Sequence, residues 1–586
     1  MTAIRYHEAT KHHFHQYARA LGYLDWDNQP NPFRFYEGVT PIKLPLAKQD
    51  PDASYMDLYE RIRNPVREFS RENLSLFLEL SLGLSAWKSI PGAKWALRMN
   101  PSSGNLHPTE SYVILKTNEA YDPGVYHYNP YLHALEPRAK FLDELSKQLQ
   151  GHFQTQGFLF ALTSIYWREA WKYGERAFRY CNHDIGHAIA AASFAANLMG
   201  WKLTYLYEAS GEEIAKILGF HKINWVENEQ EHPEVLGYVH PADARPERLR
   251  FRHARGSLRL PSSQEIPTGI PPELIQQISE LSFRGRANRL SEDHIDWEII
   301  AEVAKTTAKP RAAGDPCPPH KQTLLSPTLR SAAVERPLYP NAPFSHAEPS
   351  RLKATQIIRQ RRSLLACDGV TSISKAEFLT MLDKTLPRET TAPFDFGLGP
   401  VRVHLLLFVH RVRDLSSGLY MLVRDEEDLS ALRRACRPQF LWNPIEKGFP
   451  LYLLAEGQVM QEATSVSCQQ SIAGEGAFSL GMIAKFRDSV EQHPFLYRHL
   501  FWETGMIGQV LYLEAEAHGI RSTGIGCFFD DPVHDVMGLK DNEFQSLYHF
   551  TVGKPVEDGR LQTWPAYFHL KEGGTEHPPE MKFDEP

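Results

Sequence analysis

The sequence predicts an α+β chain made of one unit used twice, a dimer fused into a single polypeptide. Three observations predict it. The chain has 586 residues, room for two large domains or several ordinary ones, and its 42% hydrophobic and 11% aromatic content supports sizeable cores. A stretch over residues 241–350, enriched in Pro, Arg, Ser and His, separates two apolar halves and is too long for a simple connection inside one compact domain. Finally, five residues recur at identical spacing: Arg179, Asp184, Gly186, Gly200 and Thr204 in one half, and Arg498, Glu503, Gly505, Gly519 and Thr523 in the other. The resulting division is a leader at 1–54, a first unit at 55–240, a linking or wrapping segment at 241–350 and a second unit at 351–586.

The elements of the two units run in the same order. Each begins with an Arg-containing segment and an amphipathic helix, after Ser70 in one case and Ser374 in the other, where Ser is an N-cap candidate with Glu two or three residues on. An apolar strand follows, SYVILK from Ser111 and VHLLLFV from Val403. A Gly-x-Tyr turn at Gly124–Tyr126 and at Gly418–Tyr420 then leads to a second strand, FLFALTSIYW or PLYLLAEG. An Ala/Leu-rich helix framed by the five spaced residues closes each unit. Between the units one helix-like stretch is expected over Pro271–Thr307. The second unit has an added segment from Val466, either a lid with Gln469 and Gln470 or an extra packing helix.

Composition excludes several classes. Lys and Arg total 64 against 71 Asp and Glu, a net charge of −7, which argues against a nucleic-acid binder. The N-terminus lacks the apolar core of a secretory signal, and the run Ala188–Trp201 is too short to span a bilayer, so no membrane segment is expected. Six cysteines without a C-x-x-C pair point to a reducing, cytoplasmic setting and no zinc ribbon. The histidines His7, His12, His13 and His15 have no acidic or Cys partners at ligand spacing, so they read as surface residues and no metal site is expected.

Four strings have the composition of a binding site. Asn100–Glu110 (NPSSGNLHPTE) is a loop whose amides and whose Ser102, Ser103 and Asn105 side chains can face a flat polar ligand. Arg361-Arg-Ser363 supplies planar donors and a hydroxyl suited to a phosphate, although alone it fits a solvated surface pair. Gly553–Arg560 adds Lys554 and Arg560. Gly524–Phe528 lets a backbone N–H approach a ligand closely; its Cys527 has no basic neighbour in sequence and is assigned no nucleophilic role. In Trp171–Tyr180, Lys172 and Tyr173 can act as base and acid if burial shifts their pKa values, and a charged helix start is the alternative.

Together these strings resemble the nitroreductase superfamily of FMN-dependent enzymes, and within it the SagB/ThcOx branch with its azoline-oxidising dehydrogenases. The resemblance covers roughly residues 55–240 and 355–570, and Pro-Ser-Ser-Gly-Asn and Lys-Tyr-Gly-x-Arg are its most specific matches. It implies FMN at the interface of two units. Carried over, Arg361, Ser363, Lys554 and Arg560 grip the phosphate, while Pro101, Ser102, Ser103 and Asn105 come from the other unit. Gly526 offers a backbone N–H to the flavin, and Lys172 and Tyr173 handle the substrate proton. The complementary set is poor: Arg63-Asn-Pro65 lacks the Ser, DFGLGP stands where the second Ser-Ser-Gly-Asn loop should be, and the first unit ends without the Lys. Leu365 also replaces the usual Arg or Lys. The resemblance therefore implies one FMN per chain, a small-molecule or peptide substrate, and either a monomeric pseudo-dimer or a higher homo-oligomer. NAD(P)H-dependent nitro or quinone reduction is an alternative, as is a non-catalytic scaffold.

Overall fold

The structure, a computed structural model, describes residues 2–59, 64–117, 120–242, 266–311, 352–388 and 390–570. Each unit is built on a seven-stranded antiparallel sheet, and the two sheets have one topology. The first runs Ile42–Lys43, Ala134–Lys140, Gly124–Asn129, Thr109–Leu115, Phe158–Ser164, His232–Pro241, Trp201–Tyr205. The second runs Asn443–Glu446, Phe449–Glu456, Gly418–Leu422, Val403–Val409, Phe478–Lys485, Phe544–Gly553, Arg521–Ile525.

This matching order corrects two expectations. The counterpart of Phe158–Ser164 is Phe478–Lys485, paired with both Val403–Val409 and Phe544–Gly553, so the last part of the added segment is a central strand, with the short helix Ile472–Glu475 before it. PLYLLAEG instead belongs to the strand Phe449–Glu456, counterpart of Ala134–Lys140. The Gly-x-Tyr strings are strand starts rather than turns. A Cβ on Gly124 would lie 2.3 Å from the Ala139 carbonyl, and one on Gly418 would lie 2.2 Å from that of Ala455, so glycine admits the neighbouring strand.

The amphipathic helices form where their caps place them, at Arg71–Leu82 and Lys375–Lys384. Ser374 and Glu377 close a reciprocal capping box; in the other helix Glu72 is one position too early, and Ser70 caps alone. The framed helices, Ala177–Leu198 and Leu496–Ala517, are 22 residues each, buried almost throughout, and pack against each other. Their equivalent glycines meet at the crossing: a Cβ on Gly186 would lie 2.8 Å from the Gly505 Cα, and one on Gly505 would lie 2.8 Å from the Gly186 Cα. This is a self-complementary contact of the kind that joins a symmetric dimer, here within one chain.

Exchanged segments tie the units together. Gln562–Trp564, at the end of the second unit, pairs with Leu84–Ile90 of the first. The leader helix Ala3–Ala9 buries Tyr6 in a core shared with the second unit. The stretch expected as one helix is two, Pro272–Glu280 and Glu298–Thr306, separated by a loop that pairs Arg286–Ala287 with Tyr36–Glu37. Among the described residues, no helix is long and apolar enough to cross a membrane.

Candidate active site

A cavity of about 440 Å³ opens between the units. One wall is the loop Asn100–Asn105 with Trp95 and Leu97. Tyr180, Asp184 and His187 rise from the first long helix, and the opposite wall is Arg361–Ser363, Thr523–Cys527, Tyr512 and Tyr548. Eight of the eleven residues expected to bind the cofactor or act in catalysis line it: Pro101, Ser102, Ser103, Asn105, Tyr173, Arg361, Ser363 and Gly526.

The loop is held by its own side chains. Gly104, Asn105 and His107 take left-handed φ values of 59, 60 and 53°. The Asn105 amide donates to Ala96 O at 2.9 Å, and Ser102 Oγ accepts from His107 N–H at 2.8 Å. Ser103 donates to Asp184 from its backbone N–H at 3.1 Å and from its hydroxyl at 3.2 Å. Behind the loop, Arg168 bridges His107 O and the Glu110 carboxylate. Much of the polar chemistry expected to meet a ligand therefore shapes the loop itself. Burial pushes Asp184 up to about 7, against the Ser102 and Ser103 hydrogen bonds. It also raises Glu169, deep in the helix Tyr166–Tyr173, well above the usual carboxylate range, with Asp184 adding to the effect.

Tyr173 and Lys172 end that helix. The Tyr173 hydroxyl reaches the loop at 2.7 Å from where a Gly104 Cβ would stand, and burial raises its pKa well above 10. Lys172 passes the same glycine with its Cδ but is exposed, so the burial on which its role as a base was conditioned is absent.

Cations gather at the opposite end. Arg361 is buried; its Nη2 donates to Arg98 O and Met99 O at 2.9 and 3.0 Å, while its Nε has no protein partner. Arg362 lies beside it, lowered to about 10 by burial and then by Arg361. Lys88 and Arg521 also line the cavity, and Ser363 Oγ lies 3.2 Å from the Tyr512 hydroxyl. Lys554 and Arg560, expected here, stand outside: Lys554 is exposed and donates to Gly519 O, and exposed Arg560 pairs with Asp558. Leu365 lines the cavity and is 72% exposed. Lys88 and Arg521 were not among the residues expected here. Arg362 was visible within Arg-Arg-Ser, but nothing local marks Lys88 or Arg521, which reach the cavity from a strand of the other unit and a sheet edge.

Two further readings change. His7 and His12 are buried rather than at the surface; His7 Nδ1 lies 3.3 Å from the Tyr497 hydroxyl, and His12 Nδ1 accepts from Ala18 N–H. Cys527 does have polar and basic neighbours, in space rather than in sequence: Cys468, His12 and Arg176 hold its thiol below the usual range. Of the glutamines in the segment from Val466, Gln470 reaches the cavity and Gln469 faces solvent. Among the described residues, no group of three or more His, Cys, Asp or Glu could hold a metal ion.

The pseudo-equivalent position in the other orientation is built differently. Arg63 lies outside the described residues. At the spacing of Gly524 stands Tyr205, whose ring stacks on Phe396 of the DFGLGP segment at 5.2 Å and whose hydroxyl lies 3.4 Å from His499 Nε2. At the spacing of Asp184 stands Glu503, which ion-pairs with buried Arg424 and accepts from Arg402 N–H at 3.0 Å. A cavity of about 290 Å³ beside it is closed partly by residues 301–309, with Thr307 and Ala304 accepting from Arg498.

Comparison with known proteins agrees with the two-unit architecture. The nitroreductase family model matches twice, over residues 70–227 and 358–554. A curated nitroreductase of Methanocaldococcus jannaschii is 28% identical over 163 residues, 27% of this chain and 80% of the relative. A crystal structure described as a nitroreductase of Anabaena variabilis aligns with 94% of this chain and 99% of its own at 21% identity, with a TM-score of 0.63.

Proposed function

Because the chain belongs to the nitroreductase family, we propose that the cavity between its units holds one FMN and that the protein is an FMN-dependent oxidoreductase of the SagB/ThcOx type. The observation that carries this reading is the cavity's polarity. Arg361, Arg362, Lys88 and Arg521 crowd one end, and the Pro101–Asn105 loop faces Gly524 and Gly526 at the other. A phosphate dianion suits the first end, where the orphaned Nε of Arg361 is a buried donor in need of an acceptor. At the second, a Cβ on Gly526 would lie 2.1 Å from the Tyr180 ring and one on Gly524 would lie 1.9 Å from the Tyr548 hydroxyl, so glycine lets both tyrosines into the cavity wall.

When bound, FMN supplies hydride transfer at its N5. The protein's residues bind, orient and manage protons. Arg361, Arg362, Lys88 and Arg521 would neutralise the phosphate and the Ser363 hydroxyl would donate to it. Pro101, Ser102, Ser103, Asn105 and Gly526 hold the ring. Tyr173, kept protonated by burial, can give a proton to a substrate at the loop, which the exposed Lys172 passes with its Cδ. The substrate class is a small molecule or a peptide-borne heterocycle, with azoline-type dehydrogenation as the reaction and NAD(P)H as the alternative redox partner.

The test is the visible absorption spectrum of the purified protein, with the released flavin identified and counted. One FMN per chain is the expected result. Two would make the pseudo-equivalent position a second site. None, even after FMN is added, would favour a scaffold.

A further inference from the structure

Cys468 and Cys527 stand 59 positions apart in sequence, yet their sulfurs lie 2.8 Å from each other. Neither is fully buried, and Cys527 lines the cavity. The backbones that carry them are joined on both sides of the pair. Phe529 N–H donates to Val466 O at 2.8 Å, and Gln470 Nε2 donates to both Cys527 O and Ser467 O at 3.0 Å. Cys468 and Gln469 take left-handed φ values of 54 and 58°. Residues with a side chain rarely adopt this region, and the Gln470 contacts hold the turn that brings Cys468 against Cys527. A disulfide needs its sulfurs about 2.05 Å apart, so closing the pair calls for a sub-ångström adjustment between segments already in register.

The surroundings divide the labour between the two sulfurs. His12 spends Nδ1 on Ala18 N–H, which leaves Nε2 as the ring's donor, and His12 faces Cys527. Arg176 lies close as well, donating to Gly526 O and to Asp530. Cys468 faces Tyr17, a half-exposed residue of the leader, and its thiol is raised while that of Cys527 is lowered. Cys527 is thus the stronger candidate for the thiolate, and Cys468 for the resolving thiol.

We propose that Cys468 and Cys527 are a redox-active pair that carries two electrons from the cavity to a low-molecular-weight disulfide in solution. The Cys527 thiolate attacks one sulfur of that disulfide, breaking its S–S bond and releasing one thiol. The Cys468 thiol gives up its proton and attacks the Cys527 sulfur, forming the intrachain S–S bond and releasing the second thiol. The external disulfide is reduced by two electrons and the pair is oxidised by two. On the cavity side the intrachain disulfide takes two electrons and two protons from reduced flavin and reopens to the dithiol. This second half rests on the flavin reading above; closure of the pair does not.

Two arms separate the halves. In the first, the reduced full-length protein is incubated anaerobically with oxidised glutathione, then alkylated and peptide-mapped without reductant. Two thiols per chain are expected to disappear into a peptide linking Cys468 to Cys527. Cys468→Ser should stop at a glutathione adduct on Cys527, which a purely structural pair would not form. If both cysteines alkylate fully after the treatment, the proposal is overturned. In the second arm, the disulfide form loaded with FMN is photoreduced anaerobically. Two thiols per flavin should return as the oxidised flavin spectrum recovers, and Cys527→Ser should lose that recovery. A flavin that stays reduced beside a closed disulfide overturns the electron route. Failure of FMN to bind overturns the flavin reading and the route together, while the first arm still reports on the pair.

Discussion

The two positions related by the duplication differ more in chemistry than in backbone. Sheet order, helix length and the glycine crossing repeat, yet one position is an open cavity and the other is largely packed. Two substitutions at equal spacing account for most of the difference. Gly524 admits the Tyr548 side chain to the cavity wall, whereas Tyr205 at the same spacing stacks on Phe396. Asp184 is buried with hydroxyl and amide partners only, whereas Glu503 has a guanidinium against it. A duplicated fold can thus retain both copies as scaffold while their cavities differ in size and in the side chains that line them.

The acidic pair offers the sharpest way to break this comparison. Glu503→Gln removes the carboxylate that balances buried Arg424 and should lower stability by about 3–5 kcal/mol, read by denaturant unfolding. Asp184 should show its contrast through pH. Its folded-state value, about 7, lies above the ordinary carboxylate value near 3.9, so the folded chain keeps a proton that the unfolded chain releases. Its contribution to stability is therefore full below about pH 4 and is lost as pH rises toward 7, by close to 4 kcal/mol at most. Asp184→Asn should flatten that part of the Tm-against-pH curve; an unchanged slope would refute the assignment.

Smaller effects sharpen the same contrast. Tyr205→Ala should cost about 3 kcal/mol from lost aromatic packing and leave the flavin count unchanged, since Arg498 of the adjoining cavity is already spent on Glu234, Thr307 and Ala304. Arg361→Ala should weaken FMN retention about 10–100-fold, the worth of a charge-assisted hydrogen bond, with Arg361→Lys recovering only part because the fork is lost. Unaltered retention in Arg361→Ala would move the phosphate elsewhere.

Much of this architecture was legible from local pattern. Caps at Ser70 and Ser374, apolar strands, the five spaced residues and the Pro-Ser-Ser-Gly-Asn loop are short-range signals, because helix ends, turns and strand periodicity are decided by neighbours. Where local reading failed, a distant partner was responsible. Gly124 and Gly418 looked like turn residues until the adjoining strands were in place, and the strand Phe478–Lys485 looked like an insertion until its two neighbours flanked it.

The sequence by itself determined the duplication, the unit's α+β character, the loop that faces the cavity and the Arg-Arg-Ser string at its far end. Only the tertiary structure decided which other cations reach that cavity, Lys88 and Arg521 rather than Lys554 and Arg560, and which cysteines meet. The reason is physical. Elements form from contacts a few residues apart, but a cavity's charge and a sulfur–sulfur approach depend on groups brought together from across the chain, and no local spacing records their distance.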